Sequence, residues 1–252
     1  MTKAIILSLG MLQEEVNTNR FIVYLLAKAK ASNPGFNFTP DLQTQAYALS
    51  DRFNAGKVSP EDFKRGLLTL FTIPEAEITD TTFWEKWDAM VTVGNIKDKM
   101  QLLQDFSSDH QSLIYLHSDT NTVHLEKLKT EYQAQSITLN TDTSPPQVEQ
   151  FPLYASCLAG KSRFELVQHI IAEIKQKQFN HPDEIILILA DPENIQNPHD
   201  KANQKKKIAS IIEWCSQQEN VSVKLHSSKD SLLTTLQKAA GAKTALTPAA
   251  QI

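Results

Sequence analysis

Short apolar runs alternate with amphipathic stretches along this chain. Lys3 to Leu9 (KAIILSL), Leu113 to His117 (LIYLH), Glu184 to Ala190 (EIILILA) and Val221 to Leu225 (VSVKL) are each five to seven residues long. Runs of that length with β-branched members suit strands buried in a parallel sheet. Between them apolar residues return every three or four positions, the mark of one buried helical face. Leu42, Ala46, Leu49 and Phe53 form one such face; Ile96, Met100, Leu103 and Phe106 form another. A third carries Phe164, Val167, Ile170, Ile171 and Ile174, and a fourth Ile208, Ile211, Ile212 and Cys215. Strands alternating with helices predict an α/β fold with a parallel sheet.

One region departs from the alternation. From Glu14 to Thr92 the spacing is helical throughout, with no strand-like run. Ser32-Asn-Pro-Gly ends the first helix there, and a second is predicted over Pro40 to Asn54, closed by Ala55-Gly56-Lys57. Ser59-Pro60-Glu61-Asp62 starts a third, with a Ser cap, Pro in the first turn and acids on the helix dipole. Thr79 or Asp80 caps a fourth, which carries Phe83, Trp84, Trp87 and Met90. Ser136 to Leu139 and Phe151 to Ser156 are predicted as short strands around a proline-containing loop, Thr141 to Gln150. Ser231 to Ala239 is the last predicted helix, and 241–252 has no periodicity and reads as a disordered tail.

Composition narrows the classes. With 252 residues the chain can hold a core domain and a smaller accessory one. A net charge of −4 implies no strongly basic face, so nucleic acid is not an expected partner. Cys157 and Cys215 stand alone, without zinc or disulfide spacing, which fits a reducing compartment. The first apolar run is too short for a signal peptide or a membrane span. The expectation is a cytoplasmic protein without a membrane partner, with signal-independent secretion left open.

Candidate chemistry centres on Leu113 to His124 (LIYLHSDTNTVH). A strand that ends in Ser118, Asp119, Thr120 and Asn121 hands small polar residues to a helix start. That is a helix cap after a core strand, or an anion site built from free N–H groups and the positive dipole end. A second feature is Gly160-Lys161-Ser162 at the start of a helix. A nucleotide P-loop would need glycine where Ala155 stands, so that motif is excluded.

These residues resemble motifs of haloacid dehalogenase-like (HAD) phosphatases, and most of all the sugar-phosphate branch. That pattern has Ser-Asn-Thr-Asn after the strand and His three residues on. Ser118, Thr120, Asn121 and His124 match, and Asp119 replaces an Asn. FNAGKVSPEDF and FWEKWDAM are similar to segments of the helical cap in that branch. The resemblance implies a Rossmann-like parallel sheet with an inserted all-helical cap. Residues 1–13 and 95–240 would be the core and 14–94 the cap, whose aromatics are either its own core or a sugar-stacking surface.

The same resemblance locates the chemistry and its gaps. Ser8 stands where the first strand should end in the nucleophilic Asp. Lys161 matches the phosphate-holding Lys, although the approach to it is about two residues short and Ser162 replaces a Pro. After the strand Glu184 to Ala190, gapless alignment on Asn194 puts Leu189 and Ala190 where two metal-binding acids belong. Asp191 comes one step late and is the only candidate metal ligand. An anion site made of Ser118, Thr120, Asn121 and Lys161 would remain, with no catalytic residue, no metal and no cofactor. The expected function is a pseudo-phosphatase that binds phosphate, a phosphorylated small molecule, or a protein partner through the cap. The alternative is an active hydrolase of a phosphorylated metabolite, which would need Mg²⁺. Lys161 could also pair with Asp119 or Asp191 and fill the pocket from within.

Overall fold

In the computed structural model, residues 2–13, 15–141, 151–176, 182–194, 198–227 and 229–241 are described. Strand β1 (Lys3–Ser8) leads through a 3-10 turn, Leu9–Leu12, into the short β2 (Glu15–Val16). Four helices follow: α1 (Asn19–Ser32), α2 (Pro40–Asn54), α3 (Pro60–Leu70) and α4 (Asp80–Asp88). The chain returns through β3 (Val91–Thr92), which pairs antiparallel with β2, so the helical insertion enters and leaves by one neck. Then come α5 (Ile96–His110), β4 (Ser112–Ser118), α6 (Thr122–Ala134), β5 (Leu153–Ala155) and the one-turn α7 (Ser156–Ala159). Helix α8 (Arg163–Gln176), β6 (Glu184–Ala190), α9 (Pro198–Ser216), β7 (Val221–His226) and α10 (Leu232–Ala240) complete it.

The larger sheet runs β5-β4-β1-β6-β7, with every neighbouring pair parallel. Strand β1 is central because both its faces are apolar. Ile5 and Leu7 pack into a layer with Leu103, Leu128 and Leu236; Ala4 and Ile6 pack into the opposite layer with Leu166, Ile170 and Ile211. Successive side chains of a strand point to opposite faces, so one short run joins two helical layers.

Helices α1 to α4 enclose a third core of their own. Phe53 and Phe63 stack at 4.1 Å, and Phe21, Phe83 and Trp87 meet edge to face around them. Offset and edge-on aromatic pairs gain about 1 kcal/mol each beyond the area they bury. Most of the aromatic cluster is therefore the interior of this unit. The predicted caps form as read: Ser59 and Thr79 each accept a hydrogen bond from the backbone N–H three residues on, and Thr39 caps α2 in the same way.

Several sequence expectations change. The span Glu14 to Thr92 is not helical throughout, because Glu15–Val16 and Val91–Thr92 pair as strands at its two ends. Residues Ser136 to Leu139 are not a strand: Ser136 takes a left-handed φ of 63° and Ile137 N–H bonds back to the Tyr132 carbonyl. That closes α6 and drops Leu139 into the core, and only an isolated bridge, Asn140 to Pro152, follows. Strand β5 is shorter than predicted, because Ser156 already begins α7. Strand β1 stops at Ser8, since Leu9 starts the 3-10 turn. The expected loop at 142–150 and the tail beyond Gly241 lie outside the described residues.

Candidate functional site

The central strands β1, β4 and β6 end together at the carboxyl edge of the sheet, on Ser8, Ser118 and Ala190. Ser8 pairs in register with His117, and Ser118 with Ala155. The turn from β4 into α6 lies at that edge. Asn121 is the N-cap of α6: its side-chain oxygen accepts from His124 N–H at 2.9 Å. Thr120 and Asn121 are both buried, and the Thr120 carbonyl accepts from Cys157 N–H at 3.2 Å. Ser156 Oγ lies 3.3 Å from the Ser118 carbonyl and 3.3 Å from Asp119 Oδ1. Helix α7 is thereby tied to the turn.

The helical unit closes over this edge. Asn121 Nδ2 donates to Asn54 Oδ1 at 3.1 Å, and Lys207 Nζ in α9 meets Asp51 of α2 at 2.6 Å. Gly56 sits at φ +66°, and a Cβ there would lie 2.5 Å from the Cys157 carbonyl oxygen. Only glycine permits both that backbone conformation and that approach.

The charges in the cleft form an alternating set. Burial pushes the Asp119 carboxyl up, against the pull of Arg163 and Lys207, while Asp51 adds to the rise. Burial likewise pushes Arg163 down, and Asp119 opposes it. Arg163 Nη1 donates to Gln204 Oε1 at 3.2 Å, whereas its Nε is buried without a hydrogen-bond partner. The Lys161 N–H bonds to the Ser156 carbonyl as α7 unwinds, and its charge acts on the exposed Glu165. Glu165 and Ser162 form a reciprocal cap, with Ser162 N–H donating to Glu165 Oε2 at 2.8 Å and Glu165 N–H to Ser162 Oγ at 3.4 Å. The helix proper begins at Arg163, two residues beyond Lys161, which is the length by which the approach to Lys161 is short.

His117 has no accessible surface, and neither ring nitrogen has a hydrogen-bond partner. Burial, reinforced by Arg163, pushes its pKa down to about 3, so the imidazole is neutral. At the end of β6, Leu189 is fully buried in the sheet. Asp191 N–H donates to the His226 carbonyl at 2.9 Å, and Asp191 Oδ1 accepts from Glu193 N–H at 2.9 Å. That carboxylate caps its own turn.

Mg²⁺ is a hard ion that takes oxygen ligands, with one or two carboxylates in an ordinary protein site. Here the strand ends offer hydroxyls and an alanine, Asp119 lies against Ser156 Oγ, and Asp191 is engaged locally. Among the described residues no group of three or more His, Cys, Asp or Glu side chains could hold a metal ion. The donor set at this edge does not fit magnesium.

Of the residues that sequence places here, Ser118, Thr120 and Asn121 share one turn, Ser8 ends the adjacent strand, Asp191 caps its own turn, and Lys161 lies between α7 and α8. Arg163, Ser156, Lys207, Asp51 and Asn54 are the additions. Only Arg163 left a trace in the sequence, through the two-residue shortfall before Lys161.

Neither a family model nor a curated protein sequence matches the chain. Solved structures do. A HAD family enzyme from Bacteroides thetaiotaomicron is 13% identical over 92% of this chain and 96% of its own, with a TM-score of 0.57. The wild-type form of that enzyme in complex with magnesium and inorganic phosphate gives 13% identity, 92% and 98% coverage and a TM-score of 0.55. A predicted HAD-like family hydrolase from Porphyromonas gingivalis gives 19% identity, 82% and 87% coverage and a TM-score of 0.51. The parallel sheet with its helices shares the fold of these HAD structures.

Proposed function

We propose that this chain is a binding or interaction protein on a HAD-like hydrolase fold, without metal-dependent phosphoryl transfer. One observation carries the reading: the carboxyl edge of the sheet presents Ser8, Leu189 and Ala190 where an aspartyl nucleophile and metal-binding acids would be needed. The helical unit, residues 14–94, is the cap in this reading, and 1–13 with 95–240 the core. The ligand class is an oxyanion, phosphate or a phosphorylated small molecule, held by the turn Ser118–Asn121 with Lys161 as the cation. The magnesium and phosphate in the Bacteroides complex support that choice by likeness of fold. The outer surface of the cap is the candidate protein-binding face. Both cysteines are free, and no helix among the described residues is long and apolar enough to cross a membrane, which suits the cytoplasmic location proposed.

A second reading, an active hydrolase, draws on the register of Ser8 beside a neutral His117 whose nitrogens are unpartnered. No hydrogen bond joins the two side chains, so His117 is not in place to take the Ser8 proton. A generic phosphatase assay with Mg²⁺ separates the readings. The expected result is no turnover by the wild type or by Ser8→Asp, because one restored carboxylate leaves the β6 end without acids. Wild-type turnover that Ser8→Ala abolishes would overturn the proposal in favour of the hydrolase.

A further inference from the structure

We infer that His124 is a proton-sensitive latch between the helical unit and the sheet: uncharged, it completes a chain of hydrogen bonds from Asn54 to Trp87, and a proton on its Nδ1 breaks that chain and frees the helical unit to lift from the carboxyl edge. The inference goes beyond the proposed function and holds whatever the cleft binds. Asn54 ends α2 and Trp87 lies near the end of α4, whereas Asn121 and His124 stand at the start of α6. The chain of bonds therefore crosses the seam twice. Trp87 offers His124 a carbonyl, which only accepts, so Nε2 carries the hydrogen and donates it at 3.2 Å. Nδ1 is then a bare acceptor, and Asn121 Nδ2 donates to it at 3.3 Å. The second hydrogen of that amide goes to Asn54 Oδ1 at 3.1 Å, and the amide oxygen accepts from His124 N–H at 2.9 Å. Asn121 is 1% exposed and His124 8%, so little water competes for these bonds.

A proton added to Nδ1 points an N–H at the Asn121 amide hydrogens, and two donors then face each other across 3.3 Å. Relief requires the amide to turn, and each turn loses a bond. A flip sets its NH₂ against His124 N–H, and a swing withdraws its hydrogen from Asn54. The stack on the Trp87 ring, 5.1 Å between centroids and 10° between planes, holds the imidazole against tilting away. Asp88, at the end of α4, faces the ring with Oδ1 3.7 Å from Nε2. Its attraction favours the charged ring, but it stands on the Nε2 side and does not relieve the clash at Nδ1. Burial pushes the Asp88 carboxyl up. Lys127, one turn on in α6, opposes a charge on the ring and pairs with Glu131. From α2 the chain of bonds meets Asn54, which has no charge. Burial chiefly, with Lys127 added, holds the closed ring down to about 4 against the Trp87 carbonyl. Opened to water, the ring regains about 6.5. The closed form is therefore fully favoured above about pH 6.5 and loses ground as pH falls from there towards 4.

Histidine ring ¹⁵N shifts and amide hydrogen exchange of the full chain test the latch. At neutral pH the His124 ring should carry its hydrogen on Nε2; a hydrogen on Nδ1 would overturn the relay. Scaled to the intrinsic rate at each pH, exchange at residues 54–57 and 121–125 should quicken about twentyfold from about pH 7 to about pH 5, the linkage of a ring at about 4 when closed and about 6.5 when open. Exchange there that does not change with pH would overturn the latch. Ile5 to Leu7 in β1 should stay better protected throughout. Equal protection in the two regions would mean that the seam opens only when the whole molecule unfolds, which would also overturn it. Asn121→Asp keeps the oxygen that caps α6 and sets a second acceptor before Nδ1. That variant should raise the His124 pKa by about two pH units and flatten the quickening to about threefold. A ring pKa that does not rise, or a quickening that stays at about twentyfold, would overturn the part given to Asn121. Should the variant not fold, the tautomer and the pH dependence of exchange in the unaltered protein decide.

Discussion

His117 and His124 are the residues whose chemistry the fold changes most. Both are buried; His117 is pushed to about 3 and His124 to about 4, each chiefly by burial. His124 is held by the Trp87 carbonyl, 3.2 Å from Nε2, and by a stack on the Trp87 ring at 5.1 Å and 10°. Both stay neutral in the folded state at pH 5, while in the unfolded chain both protonate near pH 6.5. Below that pH the unfolded state binds more protons, so stability falls as pH drops from about 6.5 towards 4. Each histidine contributes about 2 kcal/mol of this loss by pH 5. Asp119 works in the opposite sense, because its raised pKa lets the folded state take up a proton. Urea unfolding at pH 7 and pH 5 should show a net loss, and His117→Leu should remove that imidazole's share of the slope, about 2 kcal/mol. An identical slope in His117→Leu would mean that this imidazole is charged or solvated in the folded protein.

At the scale of elements, α6 fastens the neck of the helical unit. Lys127 Nζ donates to the carbonyls of Asp88 and Val91. Gln135 Nε2 donates to the Gly94 carbonyl at 2.8 Å and its Oε1 accepts from Ile96 N–H at 3.0 Å. Tyr132 Oη accepts from Gln13 Nε2 at 2.9 Å. One helix thus holds the return side of the neck by its backbone groups and the outgoing side through the Gln13 side chain. Lys127→Met strips two carbonyls at once and should cost about 1–3 kcal/mol. Amide exchange across residues 88–94 should quicken with it, and an unchanged rate there would show that the neck is held by packing alone.

The elements were legible in the sequence where their determinants are local. Ser59 with its following Pro and acids named the start of α3, and EIILILA named β6 to the residue. Ser136 was not legible, because a left-handed serine is imposed by the closing of α6 and carries no local signature. The site was legible only in part, for the same reason. Its turn, Ser118 to Asn121, is contiguous, whereas the cation opposite it depends on a one-turn helix that shifts the start of α8. Asp51, Asn54 and Lys207 meet across the cleft from distant parts of the chain, and no spacing encodes that.

At the scale of the whole molecule there are three apolar clusters and two units, and the question is whether the units unfold together. The helical unit has a complete core of Phe21, Phe53, Phe63, Phe83 and Trp87, which would favour a separate transition. Against that stands the seam. Val123 of α6 packs into the same cluster, His124 stacks on Trp87, and Asn121 bonds to Asn54. Gly56 lets the backbone of the helical unit reach Cys157, and Lys207 pairs with Asp51. The neck is crossed twice by the chain, and α6 holds its return side and the Gln13 side chain ahead of β2. Much of this seam is buried, so its loss leaves polar groups unpaired and would cost about 1–3 kcal/mol for each. A unit with its own core but a costly seam should unfold in one step with the rest of the molecule until the seam is weakened. Trp84 and Trp87 report on the helical unit and Trp214 on the sheet, so the Trp214→Phe protein makes fluorescence a reporter of the first alone. Its urea transition should coincide with that of far-UV circular dichroism, which averages over the whole fold. Adding His124→Ala and Lys127→Met should split the two, with the fluorescence transition shifting away from the rest. Separate transitions already in Trp214→Phe would mean that the seam is too weak to couple the units.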